Sequence, residues 1–258
     1  MKPAPAKPPR ILTIAGSDCS GGAGLQADIK TVTMLGGYAM SAVTAVTVQD
    51  TLGVRAVEAL RPELVAAQID ACLGDIGVDA VKIGMLGSAA IAGVVADRLE
   101  ALKALGHVPV VFDPVMVATS GGMLADAATV AAFARLMRVA AVTTPNLPEL
   151  DALGGIDAVL ALAPAVLIKG GHGDGEVLVD RLVTRDGEVA RWEGTRIDTV
   201  HTHGTGCTLA SAIACGLGAG MTLVEAVTRA RLFMRAGLER APGFGGGHGP
   251  LGHAAVWL

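Results

Sequence analysis

Short apolar segments alternate with segments of helical periodicity along this chain, and that alternation restricts its fold more than any other feature. Six segments of strand length are rich in β-branched or other apolar residues: 11–15, 39–48, 80–83, 108–112, 140–143 and 166–168. Helical patterns between them cover 24–35, 62–73, 89–105 and 130–137. Because strands that alternate with helices form parallel sheets with crossover helices, we predict an α/β fold, an αβα sandwich.

The pattern changes after Lys169. Segments 176–183 and 189–192 flank Asp186 and Gly187, a pair of residues that favours a tight turn. We therefore expect a mostly parallel central sheet with an antiparallel edge hairpin. Two Ala-rich helices, 205–217 and 223–241, are predicted after it, before a Gly-rich tail.

Length and composition suit a single soluble domain. The chain has 258 residues, of which 52% are hydrophobic and 3% aromatic, and we find no linker or internal repeat in it. We predict one domain over 10–258 and a flexible, Pro-rich N-terminal tail over 1–9. The uncharged stretches 31–49 and 204–224 are interrupted by Gly, Ser and Thr, so we expect no membrane span and no membrane partner.

Net charge and cysteine usage limit the partners and the compartment. A formal net charge of −4 and few aromatic residues argue against binding to nucleic acid. The four cysteines show no C-x-x-C spacing, and the apolar run at 11–15 is too short for a secretory signal core. We therefore expect reduced thiols and a cytoplasmic protein.

Polar and glycine-rich segments follow the predicted strands. Ligands of open α/β sheets bind beyond the carboxyl ends of the strands, so these segments should meet at one rim. They are 16–18 (GSD), 49–50 (QD), 84–85 (GM), Asp113, 144–146 (TPN), 169–172 (KGGH) and 204–207 (GTGC). Each alone suits an ordinary turn or helix start, but their common position predicts a binding site.

The loop Gly204-Thr205-Gly206-Cys207 opens a predicted helix of small residues. Free N–H groups at such a helix start form an anion-binding site. The same field should lower the pKa of the Cys207 thiol below about 8.5, which would suit a nucleophile or a base. We read Cys215, two turns further on, as a buried apolar residue, and Cys19 and Cys72 as structural.

Other motifs are weaker or missing. The segment 22–27 (GAGLQA) contains G-x-G-x-x-A, the outline of a dinucleotide fingerprint, but four residues separate its glycines from the preceding strand. His201 and His203 lack further metal ligands at a suitable spacing, so we interpret them as loop residues. The chain contains no G-x-x-x-x-G-K-[ST], G-x-S-x-G or H-E-x-x-H motif.

Seven short motifs carry a family resemblance. They are AGSD (15–18), GAGLQAD (22–28), KIGML (82–86), DPVM (113–116), TPNLPE (144–149), KGGH (169–172) and THGTGCT (202–208). This ordered set resembles that of the hydroxymethylpyrimidine/phosphomethylpyrimidine kinases, a branch of the ribokinase-like family, and extends to the GHGP segment at 247–250. The resemblance implies a ribokinase-like fold and two ATP- and Mg²⁺-dependent phosphorylations in thiamine biosynthesis. They act first on 4-amino-5-hydroxymethyl-2-methylpyrimidine and then on its monophosphate.

The resemblance also implies roles for individual residues. Gln49 is similar to the residue that hydrogen-bonds the aminopyrimidine edge. Four further positions match the lining of that pocket: Gly16, Asp28, Met85 and Val115. Asp50 stands where the family commonly has Asn.

The phosphate-handling positions match as well. The resemblance assigns an anion hole to Gly204, Thr205 and Gly206, and the catalytic base to Cys207, where related sugar kinases carry Asp. It further implies a magnesium and phosphate region at Asp113, Asn146 and Glu149, a contact of Lys169 with the ATP phosphates, and a homodimer. Asp113 and Glu149 are the expected metal ligands, and Asn146 is expected near the nucleotide phosphates with Lys169.

Three hypotheses remain at this stage. The first is a pyrimidine kinase, or a related pyridoxal-type vitamin kinase that accepts a similar hydroxymethyl heteroaromatic compound. The second is a nicotinamide-dependent oxidoreductase that uses the segment 22–27. The third is a ligand-binding module without catalysis, which would be expected to have lost Asp113, Lys169 or Cys207.

Overall fold

A nine-stranded sheet forms the centre of the computed structural model, which describes residues 7–106, 108–117, 124–172 and 175–256. The strand order is β3-β2-β1-β4-β5-β6-β7-β8-β9. The strands are β1 (Arg10–Asp18), β2 (Tyr38–Gln49), β3 (Val54–Ala59), β4 (Ala80–Ile83), β5 (Val110–Phe112), β6 (Val142–Thr143), β7 (Ala165–Ile168), β8 (Val177–Thr184) and β9 (Gly187–Thr195).

Six neighbouring strands, from β2 through β7 in this order, run parallel to one another. The predicted hairpin is confirmed, because β8 pairs antiparallel with both β7 and β9. The opposite edge carries a further antiparallel strand, β3, which the sequence analysis missed. Most residues of β3 are exposed and none is buried, so no apolar periodicity marks this strand.

Helices cover both faces of the sheet, as an αβα sandwich requires. Their bounds are α1 (Gly24–Met34), α2 (Pro62–Ala71), α3 (Ala89–Leu105), α4 (Ala127–Val139), α5 (Leu147–Ala152), α6 (Gly155–Leu162), α7 (Thr205–Gly218) and α8 (Leu223–Glu239). One core cluster packs α2 to α6 against one face, and the other packs α1, α7 and α8 against the opposite face. A short π-helical turn, Cys72–Ile76, extends α2.

The low aromatic content follows from close packing by small residues. A Cβ on Gly216 would lie 2.8 Å from Cβ of Ala226, so α7 and α8 approach closely. A Cβ on Gly218 would lie 2.7 Å from Cδ1 of Ile11, which seats α7 directly on the sheet. Ala and Gly therefore fill this layer, where larger side chains would separate the helices.

The predicted boundaries differ from the observed ones at several places. Helix α4 begins three residues earlier than predicted, because the side chain of Asp126 accepts a hydrogen bond from the Thr129 N–H. The segment between β6 and β7 contains α5 and α6, of which only the start of α5 was noted. Residues 1–6 of the predicted tail lie outside the described residues. No helix in the described part of the chain is long and apolar enough to cross a membrane.

The larger core cluster contains one aromatic pair that tests its packing. Phe112 of β5 and Phe133 of α4 are buried, with ring centroids 5.1 Å apart in an edge-to-face arrangement. We expect Phe133→Ala to lower the free energy of unfolding by ~3–5 kcal/mol, measured by urea denaturation. Phe244→Ala is the control, because Phe244 is 66% exposed, and equal losses in both variants would contradict this view of the core.

Candidate active site

The carboxyl ends of the parallel strands bring the predicted polar segments to one rim. Asp18 and Gln49 are the last residues of β1 and β2. Four other strands are followed at once by residues of the predicted site: Gly84 after β4, Asp113 after β5, Thr144 after β6 and Lys169 after β7. Helix α7 begins above the same rim, which adds the Gly204–Cys207 loop.

The start of α7 depends on Gly204. This residue has a φ of +86°, and a Cβ on it would lie 2.0 Å from the carbonyl oxygen of Gly22. Only glycine allows both the left-handed backbone and this close approach. A Cβ on Gly206 would lie 3.4 Å from Oδ2 of Asp113 and 3.5 Å from Nζ of Lys169, so the loop passes directly over that ion pair.

The glycines of segment 22–27 also allow close approaches between neighbouring segments. Gly24 has a φ of +54°, and a Cβ on it would lie 2.3 Å from the carbonyl oxygen of Gly16. A Cβ on Gly22 would lie 2.3 Å from Cδ2 of His203. These glycines are therefore needed for close packing of the loop before α1, which removes the main support for a dinucleotide fingerprint.

Cys207 lies half-buried in the first turn of α7. Burial raises the pKa of its thiol to about 11, and the charges of Asp28 and Asp113 act in the same direction. Lys82 and the backbone N–H of Gly24 oppose this increase. The expectation of a lowered pKa for Cys207 is therefore wrong, because burial beside two carboxylates outweighs the effect of the helix start.

Lys169, Asp113 and Glu149 form one buried charge cluster. Nζ of Lys169 donates to Oδ1 of Asp113 at 2.8 Å and lies 3.9 Å from Oε2 of Glu149. The hydroxyl of Thr144 also donates to Oδ1 of Asp113, at 2.9 Å. Although burial disfavours its charged form, Asp113 and Glu149 raise the pKa of Lys169, so its ammonium stays charged at the rim.

Asn146 and Glu149 cap helix α5. Oδ1 of Asn146 accepts from the Glu149 N–H, and Oε2 of Glu149 accepts from the Asn146 N–H, both at 2.8 Å. Burial raises the pKa of Glu149 to about 7, with the charge of Lys169 opposing it. The cap therefore holds a carboxyl group that titrates near neutral pH within the charge cluster.

Asp28 lies fully buried beneath the rim, where it pairs with Lys82. Its carboxylate has no exposed surface and accepts from Nζ of Lys82 at 2.9 Å with both oxygens. The hydroxyl of Ser211 donates to Oδ1 of Asp28 at 2.7 Å. Because these groups enclose the carboxylate, the expectation that Asp28 lines the pocket by direct contact is not met.

A buried chain of polar side chains was missed by the sequence analysis. Nε2 of His203 lies 2.8 Å from Oδ2 of Asp18 and 3.2 Å from Nε2 of Gln49. Burial disfavours the charged form of Asp18, but hydrogen bonds from His203, Ser20 and Ala23 lower its pKa. His203 lies in the loop before α7, as predicted, but it is only 3% exposed, so the prediction missed its burial and its polar contacts. The position of His203 four residues before Cys207 was the available signal.

The remaining predicted pocket positions lie at the same rim, Gly16 near the end of β1, and Met85 and Val115 shortly after β4 and β5. Met85 is buried, and a Cβ on Gly16 would lie 2.1 Å from its Cε atom. Val115 is half-buried, in a tight turn in which its N–H donates to the carbonyl of Asp113 at 2.8 Å. Asp50 points into the turn before β3, where Oδ1 accepts from the Leu52 N–H at 2.9 Å, and it pairs with Arg55.

A buried ion pair behind the rim also escaped the sequence analysis. Oδ1 of Asp180 accepts from the Gly170 N–H at 2.8 Å, and its Oδ2 accepts from Nε of Arg231 at 2.7 Å. The pair holds the loop after Lys169 to helix α8. Its residues are far apart in sequence, in a predicted hairpin and a predicted helix, so no local motif joins them.

The rim offers few protein ligands for a metal ion. No group of three or more His, Cys, Asp or Glu side chains arranged for a metal occurs among the described residues. Mg²⁺ in phosphoryl-transfer sites takes one or two carboxylates and completes its shell with phosphate oxygens and waters. Asp113 and Glu149 face a single ammonium group, that of Lys169, so their charge suits such an ion.

Known proteins resemble this chain over nearly its whole length, including the residues of the rim. The family model for phosphomethylpyrimidine kinase matches residues 18–252. The hydroxymethylpyrimidine/phosphomethylpyrimidine kinase of Streptomyces coelicolor is 45% identical over 96% of both chains. The thiamine biosynthesis bifunctional protein ThiED of Geobacter sulfurreducens is 43% identical over 94% of this chain and 52% of its own length. A solved ADP complex of Bacillus subtilis pyridoxal kinase has a TM-score of 0.86 and 32% identity, and the match covers 96% of this chain and 98% of that one.

The titration of Glu149 leads to a pH prediction. With a pKa raised to about 7 in the folded state, Glu149 stabilises the fold below the unfolded pKa, and this contribution is lost as pH rises to 7. Glu149→Gln keeps a cap acceptor but cannot ionise. The free energy of unfolding of the variant, measured with urea and taken relative to the parent protein, should therefore increase by up to ~3 kcal/mol between pH 5 and pH 8.

Glu225→Gln is the matched control for this measurement. Glu225 forms the same kind of capping box, on Thr222 at the start of α8, but it is exposed and its hydrogen bonds from Thr222 lower its pKa. The difference in the free energy of unfolding between Glu225→Gln and the parent should stay constant between pH 5 and pH 8. A constant difference for Glu149→Gln as well would show that Glu149 does not titrate in this range.

Proposed function

Because this chain belongs to the phosphomethylpyrimidine kinase family, we propose that it phosphorylates a hydroxymethylpyrimidine with ATP and then phosphorylates the resulting monophosphate. Both steps would serve thiamine biosynthesis, as the name of the Geobacter sulfurreducens relative indicates for that protein. The observation that carries the proposal is the position of the Gly204–Cys207 loop over Lys169 and Asp113. Helix amides, an ammonium group and a thiol converge there on one space.

Phosphoryl transfer depends more on positioning and charge neutralisation than on covalent chemistry. Lys169 and the first amides of α7 would hold the transferred phosphoryl group, since both face the space beside Gly206. Asp113 and Glu149 would hold Mg²⁺, which when bound offsets the negative charge of the phosphates. Asn146 remains a proposed neighbour of the nucleotide, although its Oδ1 is occupied by the helix cap.

The first transfer needs a proton acceptor. The hydroxyl oxygen bonds to the γ-phosphorus, the bond from that phosphorus to the bridging oxygen breaks, and ADP leaves. We assign the hydroxyl proton to the thiolate sulfur of Cys207. Since the pKa of Cys207 is raised to about 11, only a small fraction is thiolate at neutral pH, and that fraction increases with pH.

The second transfer needs no base. A phosphate monoester has a second pKa near 6 and is largely dianionic at pH 7. Its oxygen can attack the γ-phosphorus directly, provided that positive charge offsets the repulsion between the two phosphates. Lys169 and the α7 amides would supply that charge in the same site, so one rim can support both reactions.

Pyrimidine recognition would involve the chain of Asp18, His203 and Gln49. The side-chain amide of Gln49 lies at the end of β2, with its Oε1 3.4 Å from the hydroxyl of Thr47 and its Nε2 3.2 Å from Nε2 of His203. An amide offers both a donor and an acceptor, so it can read one edge of a flat heterocycle. Gly16, Met85 and Val115 would complete a weakly polar wall for the ring.

A pyridoxal-type vitamin kinase is the second candidate, and the pyridoxal kinase structure of 0.86 TM-score favours it. The pyrimidine kinase relative has the higher identity, 45% against 32%, and therefore supports the first candidate. Neither a nicotinamide enzyme nor a silent binding module fits, because the glycines of 22–27 are used for packing and Asp113, Lys169 and Cys207 share the rim. Coupled ADP release with hydroxymethylpyrimidine and pyridoxine, measured side by side, discriminates the two kinases.

The compartment and the oligomeric state are further parts of the proposal. Four free cysteines support a reducing environment such as the cytoplasm, and the net charge of −4 supports a protein that does not bind nucleic acid. Exposed Val46, Val48 and Val57 on β2 and β3 support a homodimer through this edge. Light scattering after size-exclusion chromatography measures the mass and would contradict the dimer by finding monomers only.

Cys207 variants test the division between the two steps. We expect Cys207→Ala to lower kcat/KM of the first transfer by about 10²–10⁴-fold and to affect the second transfer far less. In the parent protein, kcat/KM of the first transfer should rise about tenfold per unit between pH 7 and pH 9, whereas the second should not. Each transfer is measured separately, with the alcohol or with pre-formed monophosphate.

Two comparison variants complete that test. Cys215→Ala changes a buried thiol two turns further along α7 and should leave both transfers intact. Lys169→Ala should impair both transfers. Equal losses of the two transfers in Cys207→Ala would refute the role of Cys207 as the base of the first step.

Substrate recognition is tested at the end of β2. Gln49→Leu removes the amide and should raise KM for the pyrimidine about 5- to 150-fold, equivalent to ~1–3 kcal/mol, while KM for ATP changes little. Asp50→Asn is the control, because Asp50 bonds to the turn before β3. Similar increases in both KM values for Gln49→Leu would indicate a damaged fold and contradict specific recognition.

A further inference from the structure

A fully buried ion pair joins three elements beneath the rim. Lys82 of β4 and Asp28 of α1 have no exposed side-chain surface, and Nζ of Lys82 lies 2.9 Å from both carboxylate oxygens. Ser211 of α7 donates to Oδ1 of Asp28 at 2.7 Å. Burial opposes the charge on Lys82, but Asp28, Cys207 and Asp113 together raise its pKa, so the ammonium stays protonated.

The ion pair lies one helical turn from Cys207. In α7, Ser211 follows Cys207 by four residues, and its hydroxyl donates to Asp28. Since residues four apart share one face of a helix, this hydrogen bond places the Asp28 carboxylate about one turn from Cys207.

Lys82 reaches from the sheet toward the rim. Its Nζ lies 2.7 Å from the position that a Cβ on Gly84 would occupy, and Gly84 directly follows β4. A side chain at residue 84 would therefore compete with the ammonium group for space. The absence of a side chain at Gly84 leaves room for the ammonium group of Lys82 at the carboxyl end of the sheet.

We propose that the buried Lys82–Asp28 pair, which is bonded to α7 one turn after Cys207, adjusts the reactivity of the thiol, with Lys82 favouring the thiolate and Asp28 limiting that effect. The two are positioning residues, which act through the thiol without touching substrate. The inference rests on the proposed function, in which Cys207 is the base of the first transfer. It adds that the effectiveness of this base is adjusted by an ion pair outside the pocket.

The other charges near the thiol do not replace this pair. Asp113 approaches from β5 and Lys169 from β7, and they bond to each other at 2.8 Å beside the start of α7. Burial is the largest cause of the raised pKa of Cys207, and Lys82 is the main positive charge that opposes it. Removal of Lys82 and removal of Asp28 should therefore act on the thiol in opposite directions.

The thiol itself provides the readout. Iodoacetamide alkylates the thiolate, so its rate at fixed pH follows the thiolate fraction, partly offset by lower nucleophilicity as the pKa falls. The experiment follows alkylation of the Cys207 peptide by mass spectrometry at pH 8, in the full chain without substrates. Peptide mapping separates Cys207 from Cys19, Cys72 and Cys215.

We expect Asp28→Asn to increase the alkylation rate of Cys207 about three- to tenfold and Lys82→Met to decrease it by a similar factor. The double variant should return to within about twofold of the parent rate, because both charges are then absent. Ser211→Ala is the control, since it removes a hydrogen bond from the same cluster without changing a charge. It should leave the rate within about twofold of the parent.

Lys82→Met leaves a buried carboxylate unpaired and can prevent folding, which circular dichroism would detect. In that case, the proposal is supported if Asp28→Asn accelerates alkylation and the double variant reverses the increase. Changes in the same direction, or no acceleration in Asp28→Asn, would overturn it, because a purely structural pair would not shift the thiol by its charge. Alkylation without substrate is independent of the Cys207→Ala kinetics, so failure of the proposed function would be recognised separately.

Discussion

The contact between Gly204 and the carbonyl of Gly22 is the constraint on which the site depends. It brings the first turn of α7 onto the loop before α1 at a distance that no side chain would permit. Gly22, whose carbonyl Gly204 approaches, also packs directly against the ring of His203. The first amides of α7, the Cys207 thiol and the polar side chains near Gln49 are therefore positioned together by the close approach of these glycines.

Buried charges arranged in two layers distinguish this rim from an ordinary αβα edge. The deeper layer is the Lys82–Asp28 pair, which is closed to solvent and bound to Ser211. The upper layer is the Lys169–Asp113–Glu149 cluster, in which two carboxylates face one ammonium group. When Glu149 is ionised, the upper layer carries excess negative charge that a cation or a phosphate-bound metal would offset, whereas the deeper layer is balanced within the protein.

Much of the architecture could be predicted because parallel strands and crossover helices have strong periodic patterns. The rim followed from the same reasoning, since Gln49, Asp113 and Lys169 end or follow strands. Strand β3 lacked a signal because its residues are exposed, and helix α6 lay in a segment without a clear start. The pKa of Cys207 and the burial of Asp28 could not be predicted, because both depend on Lys82 and other groups distant in sequence.

The raised pKa of Cys207 is compatible with its proposed role as a base, as a comparison of the alcohol acceptor with the phosphate acceptor indicates. The base accepts the proton of the alcohol as its oxygen attacks, and a thiolate whose conjugate acid has a pKa of about 11 is a stronger base than a typical protein thiolate. In the proposed function, its low population at neutral pH would reduce the rate of the first transfer and leave the second unaffected, because the phosphate acceptor is already ionised. A site that tuned its thiol to a lower pKa would hold more thiolate, yet each thiolate would be a weaker base and would add negative charge beside Asp113. In the proposed function, the half-buried setting of Cys207 would therefore favour a neutral thiol while phosphates enter the rim, and a strong base once the proton has left.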